Sequence, residues 1–226
     1  MTSGNLAVAL DGVEVVVGRV VALPTTDLVL HQGEVLALMG PSGSGKTTLL
    51  DCVLGIRAPT SGTVTVLGQD LGGSCRSQIS RLRRRSMGIV AQSPQLLPEL
   101  SVVENVAVTL LFNGTPRRQA LARGRALLDE VGLQGAEKKR PEHLSGGEAQ
   151  RVALARALSQ EDVGIIVADE PTAALDEANV VGMTELLVAT ARSRGLSVLV
   201  ATHDRAVAVR CDRVQMLRHG QRVAAA

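Results

Sequence analysis

Three short stretches of this 226-residue chain carry residue types that could act on a phosphate. The first, "GPSGSGKTT" at 40–48, fits G-x-x-x-x-G-K-[ST] and follows an apolar run. Gly40, Gly43 and Gly45 let backbone N–H groups turn inward around an anion, with Pro41, Ser42 and Ser44 completing the loop. Lys46 offers a point charge to the β- and γ-phosphates, Thr47 a hydroxyl able to ligate Mg²⁺, and Thr48 continues the helix start. The helix beginning there adds its positive end. Alone, this motif says only that a nucleotide is bound.

The second stretch, "GIIVADEPT" at 164–172, is a β-branched run that ends in two carboxylates. Burying carboxylates is costly unless the charges are used. Asp169 is placed to hold Mg²⁺ through its water shell, and Glu170 to face the γ-phosphate and polarise an attacking water. The third stretch, "LSGGEAQ" at 144–150, is a second glycine-rich helix start. Ser145 and Glu148 form an S-x-x-E capping box, which explains the helix but not Gly146 and Gly147. If helix initiation were the whole purpose, either glycine could become alanine at modest cost.

Short β-branched runs alternate with helical patterns along the chain, the mark of an α/β protein with a largely parallel sheet. Strands are expected at 13–17, 34–39, 62–66, 87–91, 164–168, 197–201 and 213–217. Helices should follow Lys46, span about 117–131, begin near Gly146 and span about 177–194. The last of these has Asp176 as N-cap, Val180, Met183, Leu187 and Ala191 at helical spacing, and Gly195 at the C-cap. Residues 93–150 show only helical patterns, so they read as a lobe inserted between two halves of a core, 1–92 and 151–226.

Charge is nearly balanced, 24 basic against 22 acidic residues, which gives no electrostatic case for nucleic acid as a partner. The basic run "RLRRR" at 81–85 reads as a solvated helix face before a strand. Cys52, Cys75 and Cys211 have neither paired nor metal-ligand spacing and read as free thiols, with Cys52 in the core. No apolar stretch approaches the roughly 18 residues of a membrane span. The expectation is a cytoplasmic chain whose membrane contact comes only through a partner.

Taken in order, the motifs resemble those of the ATP-binding subunits of ABC transporters over nearly the whole chain. Walker A is "GPSGSGKT", the glutamine loop "AQSPQLLPELSVVEN" contains Gln92, and the signature is "LSGGEAQ". Walker B is "IIVADE", the D-loop "AALD" contains Asp176, and the switch histidine is His203 in "VATHD". The resemblance implies an α/β P-loop NTPase core, RecA-like and mostly parallel, with an antiparallel β subdomain and an inserted α-helical subdomain. It implies Mg²⁺-dependent hydrolysis of ATP in a head-to-tail dimer that drives a separate integral membrane permease from the cytoplasmic face. Gln92 would touch the Mg²⁺ and its water, His203 would contact the γ-phosphate and steady Glu170, and Asp176 would lie at the dimer seam. Ser145, Gly146 and Gly147 would grip the ATP of a second ABC ATPase subunit, read as an identical copy. The permease would dock near Gln92 to Asn105.

Within that family, "RRRSMGIVAQSPQLLPELSVVENVAVTLL" resembles the branch of lipoprotein-releasing, macrolide-efflux and cell-division ATPases. One departure stands out. The family places an aromatic side chain before Walker A to stack on adenine; here that position falls near Val17, and the chain has no Trp or Tyr and one Phe, Phe112. Weak discrimination between adenine and guanine is therefore expected. Ala91 and Ala174 are milder departures that remove no catalytic group. Two other readings compete: a nucleotide-switched regulatory scaffold on a membrane partner, and a soluble ABC ATPase. Lys46, Glu170 and His203 argue against an inert site, and no long coiled coil or second cassette is present to support a repair or translation role.

Overall fold

The structure, a computed structural model, describes residues 6–160 and 162–217. Its centre is a five-stranded parallel sheet of β3 (Val35–Met39), β6 (Met87–Val90), β7 (Ile165–Asp169), β8 (Ser197–Thr202) and β9 (Arg213–Met216), in the order β6-β7-β8-β3-β9. The inner strands are near-continuous apolar runs because both faces are covered. Alternation then splits each strand between two cores. Val35, Ala37, Ile166, Ala168, Val198 and Val200 face one apolar cluster, and Leu36, Leu38, Ile165, Val167, Leu199 and Ala201 face the other.

The second cluster is roofed by an antiparallel sheet of β1 (Leu6–Val17), β2 (Val20–His31), β4 (Ser61–Val66) and β5 (Gln69–Asp70), ordered β2-β1-β4-β5. Between the two sheets lies α1 (Lys46–Val53), with Leu49, Leu50 and Cys52 buried. The first cluster is completed by α3 (Val102–Phe112), α4 (Arg117–Glu130), α5 (Gly146–Ala157) and α6 (Glu177–Arg194). Three elements remain: α2 (Arg76–Ser86) ahead of β6, a 3₁₀ turn at Pro141–His143 ahead of α5, and the short α7 (Arg205–Ala208) after β8. Helix α5 is continuous across residue 150, where the lobe was expected to end.

Asp176 caps α6 by accepting from the Asn179 N–H, and Gly195 ends it in the left-handed region at φ 64°. Ser145 and Glu148 make their capping box at the start of α5. Three strands differ from expectation, among them the two-residue β5, which no expected strand covers. Strand β1 begins at Leu6 rather than Val13, running through a bulge at Gly12 (φ 57°) where "DG" looks like a turn. Strand β2 was not expected at all, because Pro24 and the polar run after it resemble a loop. A proline lacks the N–H for a central ladder but is tolerated on an edge, which is where β2 lies.

Candidate active site

The carboxyl ends of β3, β7 and β8, adjacent in the sheet, deliver the reactive groups to one rim. This is where open α/β sheets place ligands. From β3 the chain enters the loop 40–45. Gly45, at φ 95°, precedes α1, and a Cβ there would lie 2.6 Å from the Ala22 carbonyl oxygen of β2. A Cβ at Gly40 would lie 2.6 Å from Ser44 Oγ and 2.9 Å from the Leu217 carbonyl oxygen, and Gly43 sits at φ 79°. These glycines are required by their own surroundings. Lys46 Nζ lies across the loop, donating to the carbonyls of Gly40 at 2.8 Å and Pro41 at 3.3 Å. The Ser44 hydroxyl is buried in the same loop with no hydrogen-bond partner.

From β7 come the two carboxylates. Thr47 Oγ1 donates to Asp169 Oδ2 at 2.8 Å, while Asp169 Oδ1 is buried and unpaired. Burial holds the Asp169 carboxyl above its ordinary pKa, against the opposing effect of the Thr47 hydrogen bond. Glu170 takes the left-handed conformation at φ 44°. Such a backbone costs a non-glycine residue about 1–3 kcal/mol, so surrounding contacts must impose it. They include the Glu170 N–H donating to the Ala201 carbonyl at 2.9 Å and the Glu170 carbonyl accepting from Ala173 at 3.1 Å. The twist aims the carboxylate between the Lys46 ammonium and the His203 ring: Oε1 is 3.7 Å from Lys46 Nζ, and Oε2 is 2.9 Å from His203 Nδ1. The His203 backbone N–H also donates to Oε2, at 3.3 Å. A carboxylate acceptor places the ring proton on Nδ1. The structure thus brings Lys46, Thr47, Asp169, Glu170 and His203 together, from three separated stretches of sequence.

The signature stretch is built differently. Ser145 Oγ accepts from the Glu148 N–H at 3.2 Å, and Glu148 Oε2 accepts from the Ser145 N–H at 2.8 Å. That backbone hydrogen bond is the main reason the Glu148 carboxyl titrates below its ordinary value. Neither Gly146 nor Gly147 has a positive φ. A Cβ at Gly146 meets nothing nearer than 3.7 Å, and one at Gly147 meets only the tip of the Asn179 side chain at 3.1 Å. Ser145 and Gly146 are exposed. Gln92 is also exposed, two residues beyond β6.

What the sequence did not reveal is how α5 holds the glutamine loop. Gln150, 2% exposed, donates to the Ala91 carbonyl at 3.0 Å. Arg156 donates to the carbonyls of Pro94 and Gln95 at 2.7 and 2.8 Å. Buried Asn105 organises the next turn, accepting from the Leu97 N–H and donating to the carbonyls of Leu97, Leu100 and Ser101. Backbone carbonyls as acceptors leave no sequence signature. Within the expected docking segment, Val102, Val103 and Asn105 are buried, while Gln92, Ser93, Gln95 and Leu97 to Glu99 are exposed. A groove of about 300 Å³ opens beside it, lined by Ile89, Ala91, Gln95 and Phe112 among others. Val17 lies at the tip of the β1–β2 hairpin, paired with Val20; the two are 50% and 54% exposed.

Comparison with known proteins decides the family. The ABC transporter family model matches residues 23–173, from β2 through the carboxylate turn. The chain belongs to the ABC transporter family. Among curated ABC relatives, the lipoprotein-releasing system ATP-binding protein LolD of Ruegeria sp. (strain TM1040) is 44% identical over 203 residues, covering 90% of this chain and 89% of that protein. The LolD protein of Pseudomonas fluorescens is 42% identical over 205 residues, covering 91% and 90%. Among solved ABC structures, a dimeric bacterial ABC transporter cassette aligns with a TM-score of 0.83 at 33% identity, covering 93% of this chain and 94% of that one. A dimeric post-hydrolysis cassette bound to ADP and Pi aligns with a TM-score of 0.83 at 32% identity, covering 96% and 99%. This chain is thus an ABC transporter ATP-binding subunit and an ATPase with the P-loop NTPase fold. Among the described residues, no helix is long and apolar enough to cross a membrane.

Proposed function

We propose that two copies of this chain pack head to tail, so that each ATP is held by the Lys46 loop of one copy and by Ser145, Gly146 and Gly147 of the other. The pair would drive a separate membrane permease from its cytoplasmic face, and the LolD relatives point to a permease that releases lipoproteins. The observation that carries the shared site is the pair of signature glycines, whose own chain has room for a Cβ at Gly146 and sets only the Asn179 side chain, 3.1 Å away, against one at Gly147. A close-approaching backbone from outside gives them a purpose. The Ser145 hydroxyl and the positive end of α5 would then meet the γ-phosphate.

Within each site, Lys46 would trade its loop carbonyls for the β- and γ-phosphate oxygens. The buried Ser44 hydroxyl and the inward N–H groups of 40–45 would supply further donors. Glu170, held by Lys46 and His203, would orient and polarise the water that attacks the γ-phosphorus, giving ADP and phosphate. His203 would keep Glu170 in place and reach the γ-phosphate, and Asp176, exposed at the start of α6, would lie at the seam between copies. Phosphoryl transfer of this kind depends mainly on positioning and charge stabilisation.

The residues also fit Mg²⁺. Asp169 Oδ1 is buried without a partner beside the Thr47 hydroxyl. No described cluster of three His, Cys, Asp or Glu could hold an ion alone, as suits a cation carried largely by nucleotide phosphates and water. Thr47, Asp169 and Gln92 would hold it, and it would neutralise charge on the phosphate oxygens.

The test is Glu170→Gln. With ATP it should accumulate as a dimer on size exclusion, while its turnover falls to background; a chain that stays monomeric at saturating ATP would sink the shared site. The base is a separate matter. Val17 and Val20 offer aliphatic contact in place of a ring, and base–aromatic stacking is worth roughly 1–3 kcal/mol. ATP and GTP should therefore bind within about fifty-fold of one another, and a wider ratio would show that the base is read elsewhere.

A further inference from the structure

A recess of about 480 Å³ lies where the turn between α3 and α4 meets the end of α2 and the chain just past α5. Its lining holds hydrogen-bond donors with nothing to donate to. Arg123 is partly buried, and its Nε is enclosed without a partner among the described residues. The Gln160 Nε2, three residues beyond α5, is enclosed and unpaired in the same way. Arg85, in the last turn of α2, lines the recess from a third element and makes no hydrogen bond or ion pair to any described residue. A buried donor left unsatisfied costs free energy, the more so when it is charged. Two of them on one recess mark a place kept for acceptors.

Helix α4 adds its own end, because Pro116 and Gln119 at its start line the same recess. Pro116 stands at the N-cap, and no side chain caps the first turn. The N–H groups of Arg117, Arg118 and Gln119 therefore lack acceptors; Ala120 is the first to donate, to the Pro116 carbonyl at 3.0 Å. That first turn carries no acid but two arginines, whose charge opposes the positive end of the helix. Glu104 offsets Arg117 at 2.7 Å, but Arg118 is exposed and pairs with no described residue. The carbonyls ending α3 give no counterweight, since those of Thr109, Leu110 and Leu111 accept from Asn113, Gly114 and Thr115. The one carboxylate on the described lining, Asp162, is exposed and pairs with neither arginine. We propose that this recess binds a phosphate group, held by Arg123, Arg85, the Gln160 amide and the free N–H groups at the start of α4. Donors on three elements suit a tetrahedral oxyanion, which turns an acceptor to each, whereas a planar carboxylate leaves one wall unmet. The volume leaves room for an organic group on the phosphate, so a free phosphate, a soluble ester and a phospholipid headgroup share the chemistry.

The test uses the full chain with Mg²⁺ and ADP filling the Lys46 loop. Inorganic phosphate, acetate and chloride are titrated separately at constant ionic strength, with nitrogen-15 NMR reading the amides of Arg117, Arg118 and Gln119 and the Arg123 Nε–H. Phosphate should shift these signals saturably, at concentrations about tenfold lower than acetate or chloride needs. Arg123→Gln should weaken the response about tenfold while the rest of the spectrum stays in place. Should that variant fail to fold, Arg85→Gln, on an exposed side chain, decides in its stead. Shifts confined to residues 40–47, an equal response to acetate or chloride, or an affinity unchanged by the deciding variant would overturn the proposal. A second arm floats the chain with phosphatidylcholine vesicles, with and without phosphatidylglycerol. Retention on the anionic vesicles that phosphate competes away and Arg123→Gln abolishes assigns the group to a lipid headgroup. Phosphate binding without retention assigns it to a free phosphate or soluble ester, and either result upholds the site.

Discussion

The chain starts two helices with glycine-rich loops, and the two loops use their glycines for opposite reasons. At 40–45, Gly43 and Gly45 take left-handed backbone, and Gly40 and Gly45 lack room for a Cβ against their own chain. At 145–147, both glycines have ordinary backbone; Gly146 has room for a Cβ, and one at Gly147 would meet only the Asn179 side chain, at 3.1 Å. The first loop is dictated from within. The second is not dictated by its own backbone, and at Gly146 not by its neighbours either, which fits the proposed approach of another molecule. A glycine can thus mark either a strained fold or a reserved approach, and the space around its absent Cβ distinguishes the two.

The largest expected effect would come from filling the reserved approach. Gly147→Asp should reduce turnover at least a hundredfold while ATP titration still shows binding at Lys46; retained turnover would mean the second loop is only a helix start. Gly45→Ala should act on the fold instead. Strained backbone and a 2.6 Å approach to the Ala22 carbonyl should cost about 2–4 kcal/mol in chemical denaturation. Gly146→Ala should leave the monomer unchanged or up to about 1 kcal/mol more stable, since alanine is the better helix former. Its turnover should nonetheless fall, and normal turnover would erase the contrast between the loops.

The smallest effects concern the carboxylate beside each loop. Asp169 is raised by burial, so its favourable share of stability is present in acid and is lost as pH rises through the raised value. Asp169→Asn should melt higher than wild type at pH 7, with the gap closing as pH falls. Glu148 is lowered by its hydrogen bond to Ser145, so its share is present above its unfolded value and is lost as pH falls below about 4.3. Glu148→Gln should melt lower at pH 7 and converge with wild type in acid. The opposite signs separate a buried carboxylate with one unpaired oxygen from one that serves a cap.

Much of the candidate site's rim was legible as a meeting of residues because its chemistry is written in contiguous residue types. Lysine after a glycine loop, paired acids after an apolar strand and a capping box each declare themselves locally. The left-handed backbone of Glu170 does not, because it is imposed by the Ala201 carbonyl and His203 from another strand. The clamps of Gln150 and Arg156 were invisible for a related reason: their acceptors are backbone carbonyls, which any residue carries. Strand β2 was hidden by Pro24, whose meaning depends on whether a strand lies at an edge, a fact of topology rather than sequence. The arginines of α2 were read as a solvated face, and only the neighbouring Phe112 shows that the face borders a groove.

The continuity of α5 has a mechanical consequence. One end of this three-turn rod presents Ser145 and Gly146, and its flank grips the chain on both sides of Gln92 through Gln150 and Arg156. A short helix bends little, so a push at its tip arrives at the glutamine loop as displacement rather than being absorbed on the way. In a head-to-tail pair, each copy would feel its neighbour's phosphate at one end of the rod and adjust its own metal site at the other. Two engines geared in this way cannot idle independently, and weakening the grip at Gln150 should let them fall out of step.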